Sequence, residues 1–129
     1  MTLSYSSGPA SAGLLGDTIA GNFAAQKQLT PSAQALVDLP TGRSWTYAEL
    51  EHDADRLAAA FLERGLKKGD RLGIFAQNIP EWVLTMYSAA KLGVIIVNVN
   101  PAYREHELEF ILDHSGATML ISQVAAPPH

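Results

Sequence analysis

The sequence has 129 residues, of which 47% are hydrophobic, so we expect one domain with an apolar core. The net charge of −4 gives no basic footprint for nucleic acid, and the absence of cysteine excludes disulfides and thiolate metal sites. No stretch reaches the roughly 20 apolar residues of a membrane span and the amino terminus does not resemble a signal peptide, so the sequence predicts a cytoplasmic protein without a membrane span.

The first 16 residues are small, polar and glycine-rich, and we predict a flexible segment over residues 1–16. Asp17 is expected to cap a helix that ends near Gln28. Ile19 and Phe23 would supply the buried stripe of this helix.

A β-hairpin and a long helix are predicted next. Two short apolar runs flank Pro40-Thr41-Gly42, and this spacing around a glycine is typical of a hairpin. Thr46 and Glu49 form a capping box, in which each side chain accepts from the backbone amide of the other residue. Gly65 is expected to end the helix in a left-handed conformation. Apolar residues recur at helical spacing between the two ends, at Leu50, Ala54, Leu57, Ala58, Phe61 and Leu62.

The second half of the chain alternates strands and helices. We predict strands at residues 71–76, 94–99 and 117–122, all of them nearly continuous apolar runs. A helix that starts near Pro80 joins the first two strands, and a helix over residues 104–115 joins the last two. Their order, β-α-β-α-β with short loops, predicts a parallel sheet with helices on both faces. The fold class is therefore α/β, with one unit over residues 17–122 and a disordered tail at 123–129.

Three asparagines follow or end the predicted strands. Asn78, Asn98 and Asn100 would all lie at the carboxyl ends of parallel strands, where ligands bind in open α/β sheets. Asparagine also tolerates tight turns and bonds its own backbone. The sequence favours the turn and leaves the ligand crevice as the alternative.

The other polar candidates favour structural roles. No glycine-rich phosphate loop is present. Glu51 and Asp55 share a helix face and could form a carboxylate pair, but a solvated face with Arg56 nearby is the favoured interpretation. Trp82 and Tyr87 could form an aromatic wall, although a buried helix needs large residues in any case.

The histidines do not have the spacing of a metal site. His106 and His114 lie eight positions apart on one predicted helix, too far for the i, i+4 spacing of a helical metal pair, and His52 lies on another helix. From the residues alone we therefore assign no catalytic, cofactor-binding or metal-binding position.

Three ordered motifs stand out. They are SWTYAEL at residues 44–50, GDRLGIFAQNIPEW at residues 69–82 and KLGVIIVNVNPAYREHELEFILDHSGATMLI at residues 91–121. Together they resemble the beginning of an acyl-CoA synthetase of the adenylate-forming (AMP-binding) superfamily. The segment Asn100–Arg104 is similar to fatty-acyl and medium-chain acyl-CoA ligases. The resemblance implies that the chain is part of the N-terminal domain of such an enzyme.

The resemblance also implies a reaction for the parent enzyme. ATP and a carboxylic acid, by this resemblance a fatty acid, would give an acyl-adenylate with Mg²⁺, and CoA would then displace AMP. The ATP loop and the later catalytic motifs of the family are absent from these 129 residues, so we expect the chain alone to be inactive. Its partners would be the remainder of the enzyme and, through an exposed sheet edge, a second copy. The alternatives are a stand-alone module for binding or assembly and an independent flavodoxin-like nucleotide binder.

Overall fold

The computed structural model describes residues 4–9 and 11–124. The helices are α1 (Ile19–Leu29), α2 (Tyr47–Glu63), α3 (Pro80–Leu92) and α4 (Glu105–Ser115). The strands are β1 (Gln34–Val37), β2 (Ser44–Thr46), β3 (Arg71–Phe75), β4 (Ile95–Val99) and β5 (Met119–Ser122). The described part of the predicted segment 1–16 contains no helix or strand. Residues 125–129 of the predicted tail lie outside the described residues.

The main sheet is parallel, as predicted, with the order β4-β3-β5. Leu72 of the central strand β3 pairs with Ile96 of β4 on one side and with Met119 of β5 on the other. β5 starts two residues later than predicted because Ala117 closes the end of α4, where its amide donates to the carbonyl of Leu112 at 3.2 Å. The β-α-β-α-β prediction is confirmed in both order and direction.

Helices cover both faces of this sheet, which confirms the predicted layering. Leu72 faces α2 and α3, where it packs with Phe61 and Ala89 in the buried core. The neighbouring residue of β3, Gly73, faces α4, and a Cβ atom at this position would lie only 3.2 Å from Leu112. Because successive residues of a strand point to opposite faces, α4 covers the face that α2 and α3 leave open.

The predicted hairpin and capping box are both present. β1 and β2 pair antiparallel, and their loop closes where the amide of Gly42 donates to the carbonyl of Asp38 at 2.8 Å. The amide of Glu49 donates to the Thr46 hydroxyl at 3.2 Å, and the amide of Thr46 donates to the Glu49 carboxylate at 2.8 Å. Gly65 follows α2 in the left-handed region, with φ of 90°. These local bonds fix where the hairpin ends and where α2 begins.

The start of α1 corrects two expectations. The cap is Thr18 rather than Asp17, since the amide of Gly21 donates to the Thr18 hydroxyl at 3.0 Å. A capping side chain reaches the amide two or three positions further on, and Asp17 lies one residue too early for this. Phe23 is buried as expected, but Ile19 is 58% exposed because the first turn of α1 projects beyond the core.

The contact between α2 and α3 uses small residues rather than large ones. The large apolar residues of α3, which were expected to bury this helix, are only half-buried, whereas Thr85 and Ser88 are fully buried. The Ser88 hydroxyl lies 2.9 Å from the carbonyl of Ala54 in α2 and 2.6 Å from the carbonyl of Leu84 in its own helix. Small side chains allow the two helices to approach closely, and this packing sets the position of the N-terminus of α3.

Candidate functional site

A crevice of about 750 Å³ opens at the carboxyl ends of β3 and β4. Phe75 and Val99, the last residues of the two strands, are register partners, so the loops that follow them begin side by side. The crevice is lined by Ala76, Gln77, Asn78, Trp82, Asn98, Val99, Asn100, Pro101 and Ala102. We call it the asparagine crevice, because it brings together the three asparagines that the sequence singled out.

The asparagines in the crevice have different roles. The Asn100 side-chain oxygen accepts from the amide of Ala102 at 2.9 Å, so this residue builds the turn toward α4 as the sequence favoured. Asn78 and Asn98 are exposed, and within the described residues their side chains form no hydrogen bond to the protein. The turn and the crevice are therefore both present, and two of the three amide groups are available to a neighbouring polar group.

The lining of the asparagine crevice carries no charge. Its polar groups are neutral carboxamides, and its aromatic wall is Trp82 in the first turn of α3. Neutral amides can donate to and accept from a polar partner, but they cannot neutralise the charge of a phosphate group. The lining therefore offers no cation to the triphosphate of a nucleotide.

The predicted aromatic wall is divided between two places. Trp82 lines the crevice, whereas Tyr87 turns away from it and stacks on Phe23 of α1, with ring centroids 4.1 Å apart. One turn of α3 separates the two residues, and the helix presents them to different neighbours. The pair does not form a common binding surface.

The acidic face of α2 is tied by ion pairs to α1 and α3. The Glu51 carboxylate lies 2.9 Å from the Lys27 ammonium of α1, and the Asp55 carboxylate lies 2.6 Å from the Lys91 ammonium of α3. Lys91 also approaches Glu51, at 3.4 Å. Glu51 and Asp55 are therefore held by lysines, and their arrangement connects three helices instead of forming a free carboxylate pair.

The three histidines within the described residues are dispersed. His52 lines a smaller depression of about 420 Å³ beside α2, while His106 and His114 lie on the exposed side of α4, where His114 stacks on Phe110. Within residues 4–9 and 11–124, no three histidine or acidic side chains come together in the way that a metal ion requires. No helix among the described ones is long and apolar enough to cross a membrane.

One ion pair beside the crevice could not be predicted from the sequence. Arg43 of the hairpin loop donates to both carboxylate oxygens of Glu81 in the first turn of α3, at 2.7 and 3.3 Å. These hydrogen bonds lower the pKa of Glu81 and raise that of Arg43. The two residues lie 38 positions apart, so no local pattern could have found the pair.

Comparison with known proteins places this geometry in a family. Residues 23–128 match the family model of the AMP-binding enzymes. The chain is 40% identical over 119 residues to the mitochondrial medium-chain acyl-CoA ligase ACSF2 of Macaca fascicularis, a match that covers 92% of this chain and 19% of that ligase. The chain thus spans about a fifth of the length of this relative.

Solved structures show the same fold. The N-terminal domain of FACL13 from Mycobacterium tuberculosis superposes with a TM-score of 0.79 at 32% identity, over 82% of this chain and 27% of that one. A Mycobacterium tuberculosis fatty acyl-CoA synthetase gives the same TM-score and identity, over 81% of this chain and 21% of its own. The matched part is therefore a minor part of each structure.

Proposed function

The chain belongs to the family of AMP-binding enzymes, and from this premise we propose that it acts as the N-terminal part of an ATP-dependent acyl-CoA ligase. The observation that carries the proposal is the match across 92% of this chain to an acyl-CoA ligase of which it spans 19%. The complete enzyme would join a carboxylic acid to AMP with release of pyrophosphate, using ATP and Mg²⁺, and would then transfer the acyl group to CoA. The similarity of Asn100–Arg104 to fatty-acyl ligases supports a fatty acid as the substrate.

The role proposed for these 129 residues is that of a scaffold. The asparagine crevice is neutral, and adenylyl transfer needs preorganised donors and cations around the charge that develops on phosphorus. Such groups would have to come from the remainder of the ligase. This chain would contribute the carboxyl end of a parallel sheet with exposed amides at Asn78 and Asn98, against which other segments can pack.

Self-association of the isolated chain belongs to the same proposal. Within the described residues, β4 and β5 each have a strand neighbour on one side only, and neither strand contains a charged residue. Uncharged open edges favour pairing with another strand. We therefore expect residues 1–129 on their own to associate as the concentration rises.

The direct test is calorimetric titration of purified residues 1–129 with Mg·ATP, together with light scattering and an assay for pyrophosphate release. We expect no micromolar binding, no pyrophosphate and a mass that increases with concentration. Micromolar binding of ATP by a monomer would contradict the scaffold role and would favour an independent nucleotide binder. A cytoplasmic location remains a prediction, which imaging of the tagged protein in cells would test.

A further inference from the structure

Four of the nine cationic residues of the chain lie between the end of α2 and the first position of β3. They are Arg64, Lys67, Lys68 and Arg71. We call residues 64–71 the basic turn. Within the described residues none of these four cations forms an ion pair, whereas three of the other five hold carboxylates. Even with Asp70 inside the turn and Glu63 just before it, residues 63–71 keep an excess of two positive charges in a chain whose net charge is −4.

The backbone of the basic turn is fixed to the rest of the fold. Leu66 is 3% exposed and belongs to the buried core. The amide of Lys67 donates to the Asp70 carboxylate at 3.0 Å, and the amide of Gly69 donates to the carbonyl of Gly93 at 2.9 Å. Both lysines of the turn are exposed between these anchors. A partner could therefore bind the turn without the cost of ordering its backbone.

The basic turn lies at the end of the sheet opposite to the asparagine crevice. Arg71 is the first residue of β3 and pairs with Ile95, the first residue of β4, whereas the crevice opens where these strands end. The Arg71 guanidinium donates to the carbonyl of Ser115 at 3.0 Å, at the end of α4. Because a carbonyl group carries no net charge, this contact leaves the positive charge of Arg71 in the turn without a counterion.

Two exposed aliphatic side chains accompany the basic turn. Leu62 precedes Arg64 by two positions and is 54% exposed, and Ile95, the register partner of Arg71, is 53% exposed. Surfaces that bind membranes combine cations with such residues, because the cations meet anionic headgroups while the aliphatic groups enter the boundary between headgroups and acyl chains. A dissolved polyanion such as nucleic acid would bind through the cations alone. The combination therefore favours a lipid surface.

We propose that the basic turn, together with Leu62 and Ile95, docks on the surface of a membrane that contains anionic phospholipids. The cations contact the phosphate-bearing headgroups, and the two aliphatic side chains lie at the headgroup boundary. Each basic residue near such a surface strengthens binding by about fivefold, so the attachment is reversible and is weakened by salt. The asparagine crevice, at the other end of the sheet, then faces away from the lipid. This docking does not depend on the proposed ligase role.

The test is co-sedimentation of dilute residues 1–129 with vesicles of phosphatidylcholine alone and with vesicles of phosphatidylcholine mixed with phosphatidylserine. We expect binding to the mixed vesicles that weakens as the salt concentration rises, and no measurable binding to the neutral vesicles. Light scattering and sedimentation of the same protein without vesicles measure the mass that self-association contributes.

The main variant removes both exposed lysines of the turn. Lys67→Gln combined with Lys68→Gln should weaken binding to the mixed vesicles by about thirtyfold. The matched control combines Arg56→Gln with Arg104→Gln, which removes two charges from exposed positions outside the turn and should change binding by no more than about twofold. Lys67→Arg combined with Lys68→Arg keeps both charges and should retain binding. Circular dichroism establishes that each variant is folded.

A second pair of variants tests the apolar part of the surface. Leu62→Gln should weaken binding to the mixed vesicles by about fivefold, because the leucine would no longer remove apolar area from water at the headgroup boundary. Leu39→Gln is the control, since Leu39 is 87% exposed in the hairpin loop and lies outside the proposed surface. We expect it to bind as the wild type does.

Several outcomes would overturn the proposal. They are equal binding to neutral and mixed vesicles, no binding to either, equal losses for the lysine pair and the arginine pair, and loss of binding in the folded variant that keeps both charges as arginine. Stronger binding to a DNA duplex in solution than to the mixed vesicles would overturn it as well, since the turn would then serve a polyanion and not a lipid surface.

Discussion

The two connecting helices, α3 and α4, lie on opposite faces of one sheet and differ in how deeply they are buried. α3 buries Thr85 and Ser88, whereas α4 buries no residue fully and leaves Phe110 63% exposed. Apolar residues occur at helical spacing in both helices, so spacing does not explain the difference. The neighbours do, because α3 packs against both the sheet and α2, whereas the main contact of α4 is with β4.

The difference shows that one face of the sheet is covered by two helices and the other face by a single helix. On the face with two helices, Phe61, Leu72 and Ala89 form a buried core. On the α4 face, Leu112 and Leu120 pack over Gly73 with solvent close by. Substitutions on the two faces should therefore have unequal effects on the stability of the isolated chain.

The largest effect is expected from replacing a phenylalanine by alanine on the side of α2 and α3, compared with the same replacement on the side of α4. Phe61→Ala would empty a site that is 4% exposed, and we expect it to lower the free energy of unfolding by about 3–5 kcal/mol. Phe110→Ala, on the exposed side of α4, should change it by no more than about 0.5 kcal/mol. Urea unfolding followed by circular dichroism measures both. Similar losses for the two variants would show that the α4 side of the sheet is packed as tightly as the side covered by α2 and α3.

A second test adds volume beneath α4. A side chain at Gly73 would meet Leu120 at 3.0 Å and Leu112 at 3.2 Å, so Gly73→Val should destabilise the chain by about 2 kcal/mol through overpacking. Gly13→Val is the matched control, since a Cβ atom there has no neighbour within 4 Å. If Gly73→Val left the unfolding midpoint unchanged, α4 would have to move away freely, and its contact with the sheet would contribute little.

The elements that could be predicted are those with strong local signals. The capping box of Thr46 and Glu49 and the left-handed Gly65 marked the two ends of α2 to within one or two residues. The alternation of apolar strands and helices along the chain then predicted the parallel sheet. The same pattern offered the asparagine crevice only as the alternative to a turn, because the carboxyl ends of parallel strands meet at one end of a sheet.

Contacts between distant side chains could not be predicted in this way. Ser88 meets the carbonyl of Ala54, and the Trp45 indole donates to Asp53 at 3.0 Å, through geometry that exists only once the helices are packed. Local periodicity shows which face of a helix is apolar, but it does not show which small polar residue the neighbouring helix will bury. The prediction of Asp17 as the cap of α1 was wrong for a different reason. Asp17 and Thr18 are adjacent and both are preferred capping residues, so the sequence does not show which of them caps the helix.

A third test addresses the start of α2, the helix on which α3 packs. Thr46→Ala removes the hydroxyl that accepts from the amide of Glu49, and we expect a loss of about 1 kcal/mol. Thr118→Ala, at an exposed position before β5, is the control. We expect the role of the capping box to be stability rather than catalysis. An unchanged melting temperature with loss of adenylation in a complete ligase would contradict that assignment.

The smallest effect is expected at the start of α3, where Arg43 and Glu81 join the hairpin to the helix. Hydrogen bonds from Arg43 hold the pKa of Glu81 below its ordinary value of about 4.3. A carboxylate whose pKa is lower in the folded state stabilises the fold above its unfolded pKa, and this contribution is lost as the pH falls through the folded pKa. Wild-type stability should therefore decrease more steeply than that of Glu81→Gln between about pH 5 and about pH 3.

The measurement is the unfolding midpoint of both proteins across this pH range at low and at high salt. The advantage of the wild type over Glu81→Gln should be present near neutral pH, should shrink in acid and should weaken with salt, since both side chains are about half-exposed and solvent screens the pair. Glu63→Gln, at the end of α2, is the control, because Glu63 forms no ion pair within the described residues. Parallel pH profiles for the wild type and Glu81→Gln would mean that the hairpin is held to α3 by packing alone. The ion pair would then contribute nothing to the stability of the sheet face covered by α2 and α3.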